Sequence, residues 1–171
     1  MQKLNKKQIV FKILFVFTII IYICALSHAS FFKYVHITEL FSPDRYFTRG
    51  LNLIPFNTYG DKSSLKFDII INFIMYAPMG FLIAMNTNGK NHRIAYLTIL
   101  PVCSIFAESM QYIFALGGTD ITDLIMNTLG GICGFLLYIA IKKLFKNCNK
   151  LDNILIILMT LAACFILFLM L

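Results

Sequence analysis

Long apolar runs alternate with short polar segments along the chain. Runs of about 20 apolar residues cross a bilayer as helices, and about five such spans can be placed here. The predicted spans cover residues 13–32, 68–85, 94–116, 120–141 and 153–171. Residues 33–67 form a polar loop between the first two. The pattern predicts an all-α, polytopic transmembrane helical bundle that forms one membrane domain over residues 1–171.

The first apolar run also has features of a signal peptide. Lysines precede it, and Ser27-His28-Ala29 resembles a small-x-small cleavage site. We favour the interpretation that this run is a retained span. Cleavage would leave the topology of the remaining spans unchanged.

The basic residues predict the orientation of the bundle. Four lie in the N-terminal segment, two in the 86–93 turn and four in the 142–152 turn, whereas the 117–119 turn has none. Short loops rich in Lys and Arg stay in the cytoplasm. The N-terminus is therefore predicted to be cytoplasmic, and the 33–67 loop and the 117–119 turn to lie outside.

Composition supports a membrane protein and argues against other classes. The chain is 59% hydrophobic and 13% charged, with a mean hydropathy of +0.79. Its net charge of +7 comes from the basic turns. No basic stripe with interleaved aromatic residues is present, so no nucleic-acid partner is expected. The five cysteines form no C-x-x-C pair and the three histidines have no metal-site spacing, so neither a metal nor a cofactor is predicted.

Several polar residues interrupt the apolar spans and share helix faces. Glu108 and Gln111 are three residues apart, which places them on one face. Asp120, Asp123 and Asn127 follow at helical spacing, with Thr119 or Asp120 as the helix N-cap. The predicted topology brings all of them to the outer-leaflet side. Two further residues are expected at the same depth: Asn72 near the outer end of the second span, and Asn52 in the loop.

Two segments near this cluster have their own interpretations. Gly130-x-x-x-Gly134 is typical of two helices that pack closely. Asn52-Leu53-Ile54-Pro55-Phe56 is an apolar patch in which the proline forbids a regular helix. This patch either lies on the membrane interface or forms a lid over the polar cluster.

The polar cluster itself has a structural and a functional interpretation. Amide side chains stabilise contacts between membrane helices through hydrogen bonds, and Asp120 gains from the positive end of its own helix. Neither argument covers Glu108, because a carboxylate two turns inside a span must be paired, protonated or hydrated. The candidate ligand-binding residues are Asn52, Asn72, Glu108, Gln111, Asp120, Asp123 and Asn127.

The chemistry of such a site stays open at this point. Carboxylates that share a proton could act in general acid–base catalysis, with Glu108, Asp120 and Asp123 as the catalytic candidates. The same oxygen atoms could bind a divalent cation, or the amines or sugar hydroxyls of a ligand. No serine or cysteine nucleophile is placed with a histidine base, which favours a binding protein over an enzyme.

Four motifs together resemble the VanZ-like family of small polytopic proteins of bacterial plasma membranes. The resemblance covers roughly residues 10–145, and the fifth span lies beyond it. The motifs occur in the family's order: Asn52-Leu53-Ile54-Pro55-Phe56; Asn72 through Pro78-x-Gly80-Phe81; Glu108-x-x-Gln111; and Asp120-x-x-Asp123-x-x-x-Asn127-Thr128-x-Gly130.

The resemblance implies a bacterial envelope protein with a link to antibiotic resistance. The family's namesake is associated with resistance to teicoplanin, a lipid-bearing glycopeptide that acts on the outer face of the membrane. Relatives often carry an arginine just before the first aspartate of the fourth helix, whereas this chain has Gly117-Gly118-Thr119. Arg45 or Arg49 from the outer loop could substitute for it.

Three hypotheses follow for the function. The first is an outward-facing cavity that binds a membrane lipid headgroup or a lipid-linked cell-wall component. The second is a membrane-embedded enzyme that acts on such a lipid. The third is a structural protein that acts through a membrane-protein partner.

Overall fold

The predicted helical membrane bundle is confirmed in the computed structural model of the chain. The structure describes residues 5–31, 38, 42, 48–57, 62–87, 93–145 and 149–170. The elements in chain order are α1 Lys6–Phe31, β1 Thr48–Asn52, α2 Lys62–Asn86, α3 Arg93–Leu97, α4 Ile99–Ile113, β2 Leu116–Asp120, α5 Ile121–Leu144 and α6 Asn149–Met170.

Four of the described helices are long and apolar enough to cross a membrane. They are α1, the Phe67–Asn86 part of α2, α5, and the Leu151–Phe168 part of α6. Large apolar side chains remain exposed on them, for example Ile20, Leu137 and Phe165. A hydrocarbon environment explains this exposure, because in water such extensive apolar surface would associate.

The third predicted span differs from the structure. Instead of one helix over 94–116, the chain forms α3, a break at Thr98, and then α4, which ends at Ile113. Pro101 explains the break, because it has no N–H to donate to the Leu97 carbonyl and its ring crowds that position. The first turn of α4 tolerates the proline.

Helices α2 and α5 pack in parallel through glycines. The backbone carbonyl of Phe73 lies against Gly130, and that of Ala77 lies against Gly134. The two contacts advance in the same direction along both helices, which defines the parallel arrangement. A Cβ atom at either glycine would overlap a backbone carbonyl, so the predicted packing role of Gly130 and Gly134 is confirmed.

Helices α1 and α6 also run in parallel. The Thr18 and Thr160 hydroxyls lie 2.5 Å apart between them. Lys7 near the start of α1 and Asp152 near the start of α6 line one cavity. Lys142 of α5 donates to Asp152 at 2.8 Å, which brings the end of α5 to the same place. We call this the basic end of the bundle.

The opposite end carries a short sheet that the sequence did not predict. Residues 117–119 were expected to form a turn, but they belong to β2, which pairs in parallel with β1. The register places Gly50 opposite Gly118 and Asn52 opposite Asp120. This pairing joins segments far apart in the chain, and glycine is a weak strand former, so no local pattern indicates it. We call this the sheet end.

Candidate functional site

Glu108 lies buried at the sheet end, with 6% of its surface exposed. Its Oε2 atom accepts a hydrogen bond from the backbone N–H of Asp120 at 3.2 Å, and its carbonyl accepts one from the Thr119 hydroxyl at 3.1 Å. In a capping box, the N–H of the N-cap residue bonds a side chain from its own helix. Here a carboxyl group from α4 takes that role, and it lies at the positive end of the α5 helix dipole.

Asp120 connects this carboxylate to the loop that follows β1. It is the N-cap of α5, as one of the two predicted alternatives had it, and its Oδ1 accepts from the Thr122 N–H at 2.7 Å. Its Oδ2 accepts from Nδ2 of Asn52 at 2.9 Å. The structure therefore brings Asn52, Glu108 and Asp120 together from β1, α4 and the start of α5. We call this group with Thr122 the capping cluster.

The loop after β1 is fixed onto the capping cluster. Asn52 also donates to the carbonyl of Asn57 at 3.0 Å, and its Oδ1 accepts from the Ile54 N–H at 3.2 Å. The N–H of Phe56 donates to the Thr122 hydroxyl at 2.9 Å. Leu53, Ile54 and Phe56 meanwhile keep exposed side chains. The loop thus covers the start of α5 and also presents an apolar surface, so the interface and lid interpretations both remain predictions.

Two of the predicted amide side chains, Asn127 and Gln111, lie outside the capping cluster and connect α4 to other helices. Nδ2 of Asn127 donates to the Ser104 hydroxyl at 3.1 Å, between α5 and α4. Nε2 of Gln111 donates to the Ser30 carbonyl at 2.8 Å and so connects α4 to α1. Both amides are buried.

Three buried polar atoms have no hydrogen-bond partner among the described residues. They are Nδ2 of Asn72, Oε1 of Gln111 and Oδ1 of Asn127. Asn72 precedes Phe73, whose carbonyl contacts Gly130, so Asn72 and Asn127 lie at similar depths on α2 and α5. Buried polar atoms almost always find partners, so these three indicate capacity for a water molecule or a ligand.

Tyr76 is a further polar residue near this site, and the sequence analysis did not single it out. The Tyr76 hydroxyl bonds the Ser30 side chain and lies within electrostatic range of the carboxylates of Glu108 and Asp123. Ser104 was missed as well, although it lies four residues before Glu108 and so shares its helix face. Tyr76 had no comparable signal, because a tyrosine in an aromatic-rich span is usually a packing residue.

The described residues can be compared with the cation and arginine interpretations. In the described part of the chain, no group of three or more His, Cys, Asp and Glu residues could hold a metal ion. Nη2 of Arg49 donates to the Ile113 carbonyl at 3.4 Å, near the end of α4. Arg45 lies outside the described residues.

The fold and the capping cluster define a small polytopic membrane protein that gathers carboxylates and amides at one end of a helical bundle. The profile of the VanZ/LLP1 family matches residues 15–146, which include all seven predicted site residues. The chain belongs to the VanZ/LLP1 family, which confirms the resemblance seen in the motifs.

The chain is similar to Protein VanZ of Enterococcus faecium. The two are 37% identical over 120 residues, which cover 69% of this chain and 70% of that protein. No solved structure matches the chain.

Proposed function

We propose that this protein is a multi-pass protein of the bacterial plasma membrane whose sheet end binds the headgroup of a membrane lipid or a lipid-linked cell-wall component. Binding there would alter the exposure of the envelope to lipoglycopeptides such as teicoplanin. The observation that carries the proposal is a buried amide oxygen that accepts no hydrogen bond from the described residues and lies beside a buried carboxyl group. Oε1 of Gln111 is buried without a partner among the described residues, one helical turn from Glu108.

The charge of the site selects the chemistry of the headgroup. Glu108, Asp120 and Asp123 supply carboxylate oxygens, and the free atoms of Gln111 and Asn127 are carbonyl oxygens. All of these oxygen atoms accept hydrogen bonds, whereas the third unpaired atom among the described residues, Nδ2 of Asn72, is a donor. A matching ligand carries donors, such as sugar hydroxyls or an ammonium group, and its phosphate would lie away from these oxygens.

The proposal is tested by separating loss of function from loss of folding. Glu108→Gln and Asp123→Asn keep side-chain volume and remove charge. Each variant is expressed in a host that lacks the gene, and membrane abundance, melting temperature in detergent and growth under teicoplanin are measured together. Ser109→Ala is the matched control, because Ser109 is exposed on the same helix and its hydroxyl donates to its own helix backbone at Ile105.

We expect the wild type and Ser109→Ala to protect the host, and the two charge variants to reach normal abundance without protection. Protection that falls only as far as abundance falls would instead identify the cluster as structural. If the wild type itself gives no protection, the antibiotic role is wrong for this chain.

A further inference from the structure

The turn at residues 54–57 has an unusual backbone conformation. The N–H of Asn57 donates to the Ile54 carbonyl at 3.3 Å, which closes the turn. Phe56, its third residue, has a φ of 58°. This is the left-handed region, which glycine and asparagine adopt at that turn position with less strain than a bulky residue. The reason for a phenylalanine therefore lies in what its side chain contacts.

The backbone of this turn faces the capping cluster, and its apolar side chains do not. The N–H of Ile54 donates to Oδ1 of Asn52 at 3.2 Å, and the N–H of Phe56 donates to the Thr122 hydroxyl at 2.9 Å. Ile54 is nevertheless 58% exposed and Phe56 52%. A lid would bury these side chains on the cluster that it covers. Ile54 and Phe56 instead form part of an outer surface.

The depth of this surface follows from the length of α5. Thr122 lies in the first turn of α5 and Lys142 in its last turn, at the basic end. The 20 residues between these positions correspond to a rise of about 30 Å. The hydrocarbon core of a bilayer is about 30 Å thick, and lysines near helix ends reach its boundary. Thr122 and the bonded Phe56 therefore lie at the opposite boundary, and any tilt of α5 would place them deeper.

An apolar surface leads from the end of α4 to this turn. Ile113 and Phe114 are both more than half exposed. Arg49 of β1 donates to the Ile113 carbonyl at 3.4 Å, so β1 begins beside the end of α4. Leu51 lies two residues further along β1, on the same face as Arg49, and is also more than half exposed. The exposed apolar residues of α4 therefore continue along β1 towards the turn.

We infer that Ile54 and Phe56 insert into the membrane leaflet at the sheet end and hold the capping cluster at the level of the lipid headgroups. The inference rests on the membrane location in the proposed function, but not on headgroup binding by Glu108. Contact with acyl chains gives the Phe56 side chain an apolar environment, which offsets the strain of its backbone. The hydrogen bond from Phe56 to Thr122 transmits this anchoring to the start of α5.

Single tryptophans measure this insertion by fluorescence, because the chain contains no tryptophan. Ile54→Trp reports on the turn, and Ile20→Trp, at an exposed position near the middle of α1, reports on the bilayer interior. Each full-length variant is reconstituted into phosphatidylcholine vesicles whose acyl chains carry bromine either near the headgroup or near the chain end. Iodide on both sides of the membrane measures exposure of the same tryptophan to water.

We expect bromine near the headgroup to quench Ile54→Trp several-fold more than bromine near the chain end, and the reverse order for Ile20→Trp. Iodide should quench Ile54→Trp several-fold less than free tryptophan. Strong iodide quenching would place the turn in water. Protection from both iodide and bromine would show that the turn is buried as a lid or against a protein partner. Either result would overturn the inference, and Phe56→Trp gives the same comparison if Ile54→Trp does not fold.

Failure of this inference is distinguishable from failure of the proposed function. If bromine near the chain end does not quench Ile20→Trp, the membrane location falls, and both proposals fall with it. If Ile20→Trp behaves as expected but iodide reaches Ile54→Trp, only the insertion of the turn is overturned. The teicoplanin measurements on Glu108→Gln then test the headgroup site separately.

Discussion

The carboxylate of Glu108 accepts a hydrogen bond from the backbone N–H of Asp120, the N-cap residue of α5. The bond joins a buried residue of α4 to the residue that caps the N-terminus of α5. It explains how a carboxyl group can be accommodated there, since the N-terminus of α5 offers a backbone donor and a partial positive charge. The bond to Asp120 does not prevent Glu108 from also binding a ligand, because a carboxylate accepts several hydrogen bonds.

Substitutions at Glu108 should therefore be graded in their effect on stability. Glu108→Ala removes the acceptor and should lower the free energy of unfolding by about 1.5–3 kcal/mol, as for other bonds to charged groups. Glu108→Gln keeps an acceptor oxygen and loses only the charge, so about 0.3–1 kcal/mol is expected. Thermal melts in detergent measure both, with Ser109→Ala as the control. Equal losses for the two Glu108 variants would contradict the bond to Asp120.

Asn52 should hold the loop after β1 in place. Asn52→Ala removes its bonds to Asp120, Asn57 and Ile54, and should speed hydrogen exchange in peptides that cover residues 52–57. Asn52→Asp should be worse, because it sets a second carboxylate beside Asp120. Leu53→Ala is the control, since the Leu53 side chain is 65% exposed. Unchanged exchange in both Asn52 variants would show that the loop is held by other contacts.

How much the sequence could predict differs between the bundle and its sheet end. Apolar run length and lysine placement indicate helices and their order because these signals are local. The shared faces of Glu108 with Gln111, and of Asp120 with Asn127, follow from helical periodicity in the same way. The β1–β2 pairing is not local, and neither is the link from Gln111 to Ser30, which lie 81 residues apart. The break at Thr98 could have been anticipated from Pro101, but its position depends on the first-turn tolerance for proline.

The close approach of α2 and α5 should be intolerant of a single methyl group. Gly134→Ala would place Cβ against the Ala77 carbonyl, and both groups are backbone-anchored, so the helices must separate. A loss of about 1–3 kcal/mol in stability is expected, as for other overpacked sites. Gly118→Ala is the control, because nothing lies within 4 Å of its Cβ position. If the two variants melt alike, the α2–α5 contact is looser than described.

The sheet end and the basic end should be accessible from opposite sides of the membrane. Leu53→Cys reports on the sheet end and Leu144→Cys, where the side chain is 76% exposed, on the end of α5. By the positive-inside rule, a membrane-impermeant maleimide should label Leu53→Cys in intact cells and Leu144→Cys only after permeabilisation. The wild-type chain gives the background from its own cysteines. The reverse pattern would place the capping cluster in the cytoplasm and remove the basis of the proposed function.

Helix α6 lies beyond the segment that matches the family, and its attachment to α1 includes one buried hydroxyl pair. Thr18 can donate to the Leu14 carbonyl at 2.8 Å, and Thr160 can donate to the Ile156 carbonyl at 2.7 Å. Each hydroxyl has one proton, so a bond between them requires one threonine to give up the bond to its own helix. The coupling free energy between the two hydroxyls should therefore be near the average of about 0.6 kcal/mol for hydrogen bonds between membrane helices. The largest such values are about 1.7 kcal/mol.

A double-mutant cycle with Thr18→Val and Thr160→Val measures this coupling, because valine matches the shape of threonine without its hydroxyl. Each single variant leaves one hydroxyl that still bonds its own helix, so neither creates an unsatisfied donor. We expect two small losses in melting temperature that nearly add. A coupling well above 1 kcal/mol would mean that the pair is the main polar attachment of α6, and that its loss should release α6 from α1.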